Sequence, residues 1–213
     1  ESEHCATLLQ WDNIYYQPPT DSYVDRKPTV RIGLVQWQMR PYASVDDLFE
    51  QVEFFVDSVS DYKSDFILFP EYFNAPLMAR FNDLGEAQSI RKMAQYTEEI
   101  RDRFRELAIS YNINIITGSM PYLKDDSLYN VGFLCRRDGS VDMYEKIHVT
   151  PDEQKCWGLS GGKTIRTFET DCAKIGVLIC YDVEFPELSR IMASEGMQIL
   201  FVPFLTDTQN AYS

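Results

Sequence analysis

The chain has 213 residues, 45% of them hydrophobic, which is ample for a core and most simply describes one domain. Its 33 acidic and 20 basic residues leave a formal charge of −13, which argues against nonspecific binding to nucleic acid or to an anionic membrane. No stretch approaches the roughly 20 apolar residues of a transmembrane helix. Five cysteines, without a CxxC spacing, fit neither a disulfide framework nor a zinc ribbon and point to a reducing, cytoplasmic setting.

Residues 1–28 are polar and aromatic, contain Pro18-Pro19, and read as an arm or interdomain linker before a domain over 29–213. Alternation predicts a first strand from Thr29 to Gln38, broken by Pro41. Ser44 caps a helix with Asp46 and Asp47 in its first turn, and Leu48, Val52, Phe55, Val56 and Val59 form its apolar face. A short buried strand, Asp65 to Phe69, stops at Pro70, and one long helix is predicted from about Glu86 to Ser110. Asn114 to Gly118 is the next strand. Leu128–Arg136 and Ser140–His148 then form a hairpin around Asp138-Gly139. Ala173 to Cys180 is a buried strand, Pro186 opens a helix to about Ser194, and Gln198 to Phe204 is the last strand. Strands alternating with helices, plus a hairpin, indicate an α/β layered fold with a mixed sheet. The end at Ser213 without a closing helix suggests a piece of a longer polypeptide, incomplete at its C-terminus.

Three apolar runs each end in one chemically potent residue: Glu71 after FILFP, Lys146 in YEKIH, and Cys180 after VLI. A thiol at a strand end reaches substrate while the strand holds its backbone, although free cysteines are also common in cores. At an ordinary pKa of ~8.5 only a few per cent is thiolate, so a cation or general base must help. Lys146 serves as that cation or as an oxyanion donor, unless it is a solvated hairpin lysine. Glu71, beside aromatic residues, is a candidate acid/base with a raised pKa, unless it is an ordinary first-turn carboxylate. On a strand Tyr144, Lys146 and His148 share a face, so a Cys180/His148 dyad competes. Two histidines and scattered cysteines give no metal-ligand spacing, and neither metal nor cofactor is expected. Gly158 to Thr164 falls short of a phosphate loop, because Trp157 stands where the first glycine belongs; a glycine-rich surface turn suffices.

Taken together, FPEYF, YEKIHVTPDE and CYDVEFPEL, in that order, resemble the nitrilase, or carbon–nitrogen hydrolase, superfamily. VRIGLVQWQ, ITGSMP and YNVGFLCRRDGSV add to the resemblance, which spans about Val30 to Asp207. It implies a four-layer α-β-β-α sandwich, assembly as a homodimer, and a Glu71–Lys146–Cys180 triad. Cys180 would be nucleophile, Glu71 acid/base and Lys146 oxyanion stabiliser, with the Tyr181 backbone N–H as second oxyanion donor. Glu153 would be the further glutamate that positions substrate; Tyr72 and Thr206 are also substrate-binding candidates. The implied reaction hydrolyses a linear amide or N-carbamoyl amine through a thioester, without metal or cofactor. The alternative is a catalytically silent or regulatory domain of the same fold. Glu184 stands where one branch of the superfamily has Arg. CYDVEFPE instead resembles a branch whose hydrolase domain follows an N-terminal acetyltransferase domain, and Glu184 would favour amine-bearing over anionic substrates.

Overall fold

The strand order of the larger sheet follows from two parallel pairings and a hairpin turn. In the computed structural model, which describes residues 29–206, β1 (Ile32–Leu34) pairs in parallel with β2 (Phe66–Leu68), and β2 in parallel with β3 (Asn114–Ile116). The expectations for 1–28 and 207–213 lie outside the described residues. The predicted first strand contracts to Ile32–Leu34 because its partner β2 is itself only three residues long. The long strand β5 (Ser127–Cys135) runs antiparallel to β3 and to β4 (Met120–Lys124) along one edge, and to β6 (Val141–Glu145) along the other. The β5–β6 turn forms at Asp138-Gly139 as expected, with Gly139 at φ 85° and Ser140 N–H bonded to the Asp138 carboxylate at 2.8 Å. The β4–β5 hairpin was not anticipated. Its two-residue turn, Asp125-Asp126, holds both residues at positive φ, as a primed turn demands. Pro121 is tolerated in β4 because that strand lies at the sheet edge.

The smaller sheet has the order β7 (Phe168–Glu169), β8 (Lys174–Val177) and β9 (Ile199–Phe201), with β8 and β9 parallel. Alternation along the strands decides the layers. Phe66, Ile116, Leu134 and Tyr144 of the first sheet pack with Phe168, Ile175, Val177 and Phe201 of the second. The opposite residues of the first sheet, Ile67, Ile115, Val131 and Phe133, pack under helices α1 (Val45–Asp61) and α3 (Thr97–Ser110). Leu178 and Leu200 pack under α4 (Pro186–Ser194) through Leu188 and Met192. The result is an α-β-β-α sandwich, the layering expected.

Helix α1 begins as read: Ser44 Oγ accepts the Asp47 N–H at 3.0 Å, while the Asp47 carboxylate accepts the Ala43 N–H at 3.1 Å. The long helix predicted over 86–110 is two, α2 (Glu86–Met93) and α3, separated by a tight turn at Ala94–Tyr96. Thr97 accounts for the break: it is buried, its hydroxyl donates to the Pro121 carbonyl at 2.6 Å, and this tether to β4 fixes where α3 starts. Phe69 and Phe73, on either side of Glu71, both pack on Phe104 with ring centroids 5.1 and 5.5 Å apart. Full burial of such a ring contributes about 1.5–3 kcal/mol. The chain segment carrying Glu71 is therefore anchored by the core at both ends.

Candidate active site

Glu71 lies just past β2, where Pro70 ends the regular ladder and a single parallel bridge joins Glu71 to Ser119. The next residue, Tyr72, adopts φ 51° and donates its N–H to the Ser119 carbonyl at 2.8 Å. This bend turns Glu71 inward, so it is not a first-turn helix carboxylate. Gly118 makes the bend possible. It sits at φ 70°, and a Cβ there would collide with the Pro70 carbonyl.

Lys146 follows β6 directly, and its side chain is almost wholly buried. Its N–H bonds the Asn130 carbonyl at 2.9 Å, and its carbonyl accepts the Gly162 N–H at 2.7 Å. Gly161 and Gly162 are thus more than a surface turn. A Cβ on either would strike the Ile147 carbonyl or the Glu145 side chain, so the bare backbone is what lets this loop brace the lysine.

Cys180 falls three residues beyond β8, opening the short 3-10 turn Cys180–Glu184, with φ 49° and its N–H bonded to the Pro203 carbonyl at 2.9 Å. An unfavourable left-handed conformation at a non-glycine residue is the kind of strain that functional sites hold. The thiol is near enough to Glu71 to pull its carboxyl downward a little, and it contacts the Leu205 carbonyl at 4.0 Å.

These three segments, with the turn Glu153–Trp157, bring Glu71, Lys146, Glu153 and Cys180 into one buried cluster. Lys146 Nζ stands 2.8 Å from Glu71 and 2.9 Å from Glu153. Glu153 is aimed by a capping box. Its Oε2 accepts the Thr150 N–H at 2.7 Å, and its own N–H donates to the Thr150 hydroxyl at 3.2 Å. Lys146 Nζ reaches both carboxylate oxygens, Oε2 at 2.9 Å and Oε1 at 3.0 Å, and the Tyr72 hydroxyl donates to Oε1 at 2.8 Å.

One cation between two buried carboxylates leaves one excess negative charge. Burial pushes the Glu71 carboxyl above the ordinary glutamate value, against the pull of Lys146. Burial works the same way on Glu153, but the charge and hydrogen bond of Lys146, with the Thr150 N–H and the Tyr72 hydroxyl, outweigh it and hold Glu153 below its ordinary value. Burial alone would lower Lys146, yet the two carboxylates raise it, so it remains an ammonium. Burial, with Glu153 and Glu71 beside it, keeps the Tyr72 phenol neutral. The two acids are driven apart, the pattern that assigns one to proton transfer and the other to fixed charge.

The remaining candidates divide. Tyr72 joins the cluster. Tyr181 is part-buried, its ring edge-on to Phe185 at 5.2 Å, and among the described hydrogen bonds its backbone N–H has no acceptor. Glu184 and Thr206 are exposed. His148 does not share Lys146's setting: β6 ends at Glu145, and the imidazole Nδ1 lies 3.0 Å from Asp182 while the ring stacks on Phe185 at 3.6 Å.

Asn130 and the Leu205 N–H escaped the sequence reading. Asn130, fully buried, donates to Glu71 at 2.9 Å and to Glu153 at 3.3 Å, bridging the two acids. A strand-disfavoured Asn inside the apolar run YNVGFLC was the available signal. The Leu205 N–H donates to the other Glu71 oxygen at 3.1 Å, a backbone contact that no residue type announces. Among the described residues no group of His, Cys, Asp and Glu is placed to hold a metal ion, and no helix is long and apolar enough to cross a membrane.

Comparison with known proteins gives a match of the carbon-nitrogen hydrolase family model to residues 31–212. YhcX, a probable hydrolase of Bacillus subtilis (strain 168), is 42% identical over 208 residues, which cover 97% of this chain and 40% of that protein. The human omega-amidase NIT2 is 29% identical over 187 residues, covering 81% of this chain and 62% of its own length. The chain therefore spans less than two thirds of either relative. Among solved structures, Nit3 of Saccharomyces cerevisiae, a nitrilase-superfamily member, superposes with a TM-score of 0.70 at 24% identity, covering 85% of this chain and 66% of that one. An amidase from Nesterenkonia sp. gives 0.72 at 24% identity, with 85% and 67% coverage. At this identity the two structures establish a shared fold.

Proposed function

This chain belongs to the carbon–nitrogen hydrolase family, and from that premise we propose that it hydrolyses linear amides or N-carbamoyl amines through a Cys180 thioester. The observation that carries the reading is the buried Lys146, held 2.8 Å from a Glu71 whose other oxygen takes the N–H of Leu205, the residue whose carbonyl the Cys180 thiol contacts.

Glu71 takes the thiol proton as Sγ bonds the carbonyl carbon. The Lys146 ammonium and the Tyr181 N–H hold the developing oxyanion, whose stabilisation by one donor is typically worth about 2.7–4 kcal/mol. Glu71 returns the proton to nitrogen as the C–N bond breaks, and ammonia or an amine leaves. Glu71 then takes a proton from water, the new C–O bond forms, the C–S bond breaks, and the proton returns to Sγ. Glu71's raised pKa suits a group that both accepts and donates. Glu153, with its low pKa, stays ionised, keeps Lys146 charged and positions substrate.

Glu184, exposed at the end of the Cys180 turn, favours amine-bearing substrates. Thr206, next to the Leu205 peptide that touches Glu71, lines the acyl side. The parent protein is cytoplasmic and assembles as a homodimer or higher homo-oligomer. Its hydrolase domain follows an acetyltransferase domain, a reading that rests on the resemblance of CYDVEFPE to that branch.

The test uses the full-length parent with a panel of cationic, neutral and anionic amides and N-carbamoyl amines. Ammonia release should accompany a substrate-derived mass on the Cys180 peptide. Ligand binding without turnover or adduct would establish a silent domain instead. If Glu184→Arg leaves the ranking of cationic over anionic amides unchanged, Glu184 does not select substrate.

A further inference from the structure

Asp182 lies two residues beyond Cys180 in the same 3-10 turn and is 1% exposed. Its backbone is fixed at both ends: its N–H donates to the Ile179 carbonyl, and its carbonyl accepts the Phe185 N–H, each at 3.1 Å. Its two carboxylate oxygens take two successive backbone donors from the segment that follows Lys146. The Ile147 N–H reaches Oδ2 at 3.1 Å, and the His148 N–H reaches Oδ1 at 2.7 Å. The His148 ring adds a contact to Oδ1 at 3.0 Å, and its stacking on Phe185 closes the other side.

We propose that Asp182 is a positioning residue, whose carboxylate holds the Lys146 segment in register with the Cys180 turn. Among the described hydrogen bonds, those of Asp182 are the ones that join residues 146–148 to residues 180–184. Lys146 and Cys180 come from different sheets, so their separation is not set by any shared ladder. Only a carboxylate presents two acceptors to two neighbouring N–H groups. An amide presents one acceptor and sets its NH2 against the other donor. A buried carboxylate is costly unless it is bonded in this way. A reacting pair displaced by about 1 Å loses on the order of a hundredfold in rate.

The proposal rests on the reading of Cys180 as nucleophile. Asp182→Asn and Asp182→Glu are tested in the full-length parent; the second keeps the buried charge but lengthens the arm. Steady-state kinetics should show kcat lower by about a hundredfold in Asp182→Asn and about tenfold in Asp182→Glu, with KM within about threefold. Alkylation of Cys180 by iodoacetamide, followed on the Cys180 peptide across pH, should be slower near neutrality, with its midpoint displaced upward, because the thiol has lost its aligned partners. A purely structural role would lower the melting temperature and leave both readouts unmoved, and that result overturns the proposal. Wild-type kcat in Asp182→Glu overturns it as well, even if Asp182→Asn does not fold. If the wild-type parent hydrolyses no amide, the functional reading fails, while the alkylation profile still decides the role of Asp182.

Discussion

Lys146 and Glu71 meet at 2.8 Å with only 1% and 3% of their side chains exposed. Such a pair gains little net stability by forming, because desolvation of both ions offsets their attraction, but removing one partner strands the other. Lys146→Met leaves Glu71 and Glu153 as two buried carboxylates without a cation. It should abolish ammonia release and lower unfolding stability by about 3–5 kcal/mol, as measured by urea denaturation.

Glu71 also gives the stability a definite pH dependence. Its folded value lies above its ordinary 4.5, so the folded chain holds that proton more tightly than the unfolded one. The associated stability is fully present below pH 4.5 and is lost as pH rises through the folded value. Glu71→Gln cannot lose that proton. The stability of wild type relative to Glu71→Gln should therefore fall as pH rises from 4.5 through the folded value of Glu71. Glu153, held below 4.5, has the opposite sign, its contribution being lost as pH falls. Denaturation of wild type, Glu71→Gln and Glu153→Gln across a pH series on both sides of 4.5 checks the two slopes.

The three strand-end residues were legible because a reactive side chain after an apolar run violates the pattern around it. Glu71, Lys146 and Cys180 all do this, and their order carried the family resemblance. Glu153 could also have been read from Thr150-Pro151-Asp152-Glu153, a capping box with proline at its first helical position. The Leu205 amide and the Gly161-Gly162 brace were not legible, since each depends on a partner distant in sequence. The break at Ala94–Tyr96 was hidden for the same reason: the apolar periodicity runs through it, and only Thr97's bond to Pro121 marks it.

The setting of His148 separates the triad from a Cys/His dyad. His148→Phe keeps both the stack on Phe185 and the backbone N–H bond to Asp182, losing only the imidazole contact. Stability should fall by about 1 kcal/mol. The kcat should stay within about threefold, or about 0.6 kcal/mol of barrier. A dyad relying on this imidazole would lose about 10²–10⁴-fold, so one kinetic measurement decides.

Gly118 controls Glu71 through the peptide that precedes it. At φ 70° a side chain there is strained, and its Cβ would run into the carbonyls of Pro70 and Phe69, the two residues before Glu71. Gly118→Ala must either abandon that φ or push the Pro70 peptide away. Keeping that φ costs a side chain about 1–2 kcal/mol, and displacing the Pro70 peptide costs about 1–3 kcal/mol. Either route moves the Glu71 carboxylate relative to Lys146, so kcat should drop by at least about tenfold, in step with the loss of stability. Gly85→Ala is the matched comparison. Gly85 caps α2 at φ −67° with nothing within 4 Å of the new methyl, so it should cost about 1 kcal/mol or less and leave turnover intact. Loss of turnover in Gly118→Ala alone would assign the effect to the Pro70–Glu71 bend rather than to a generally weakened fold.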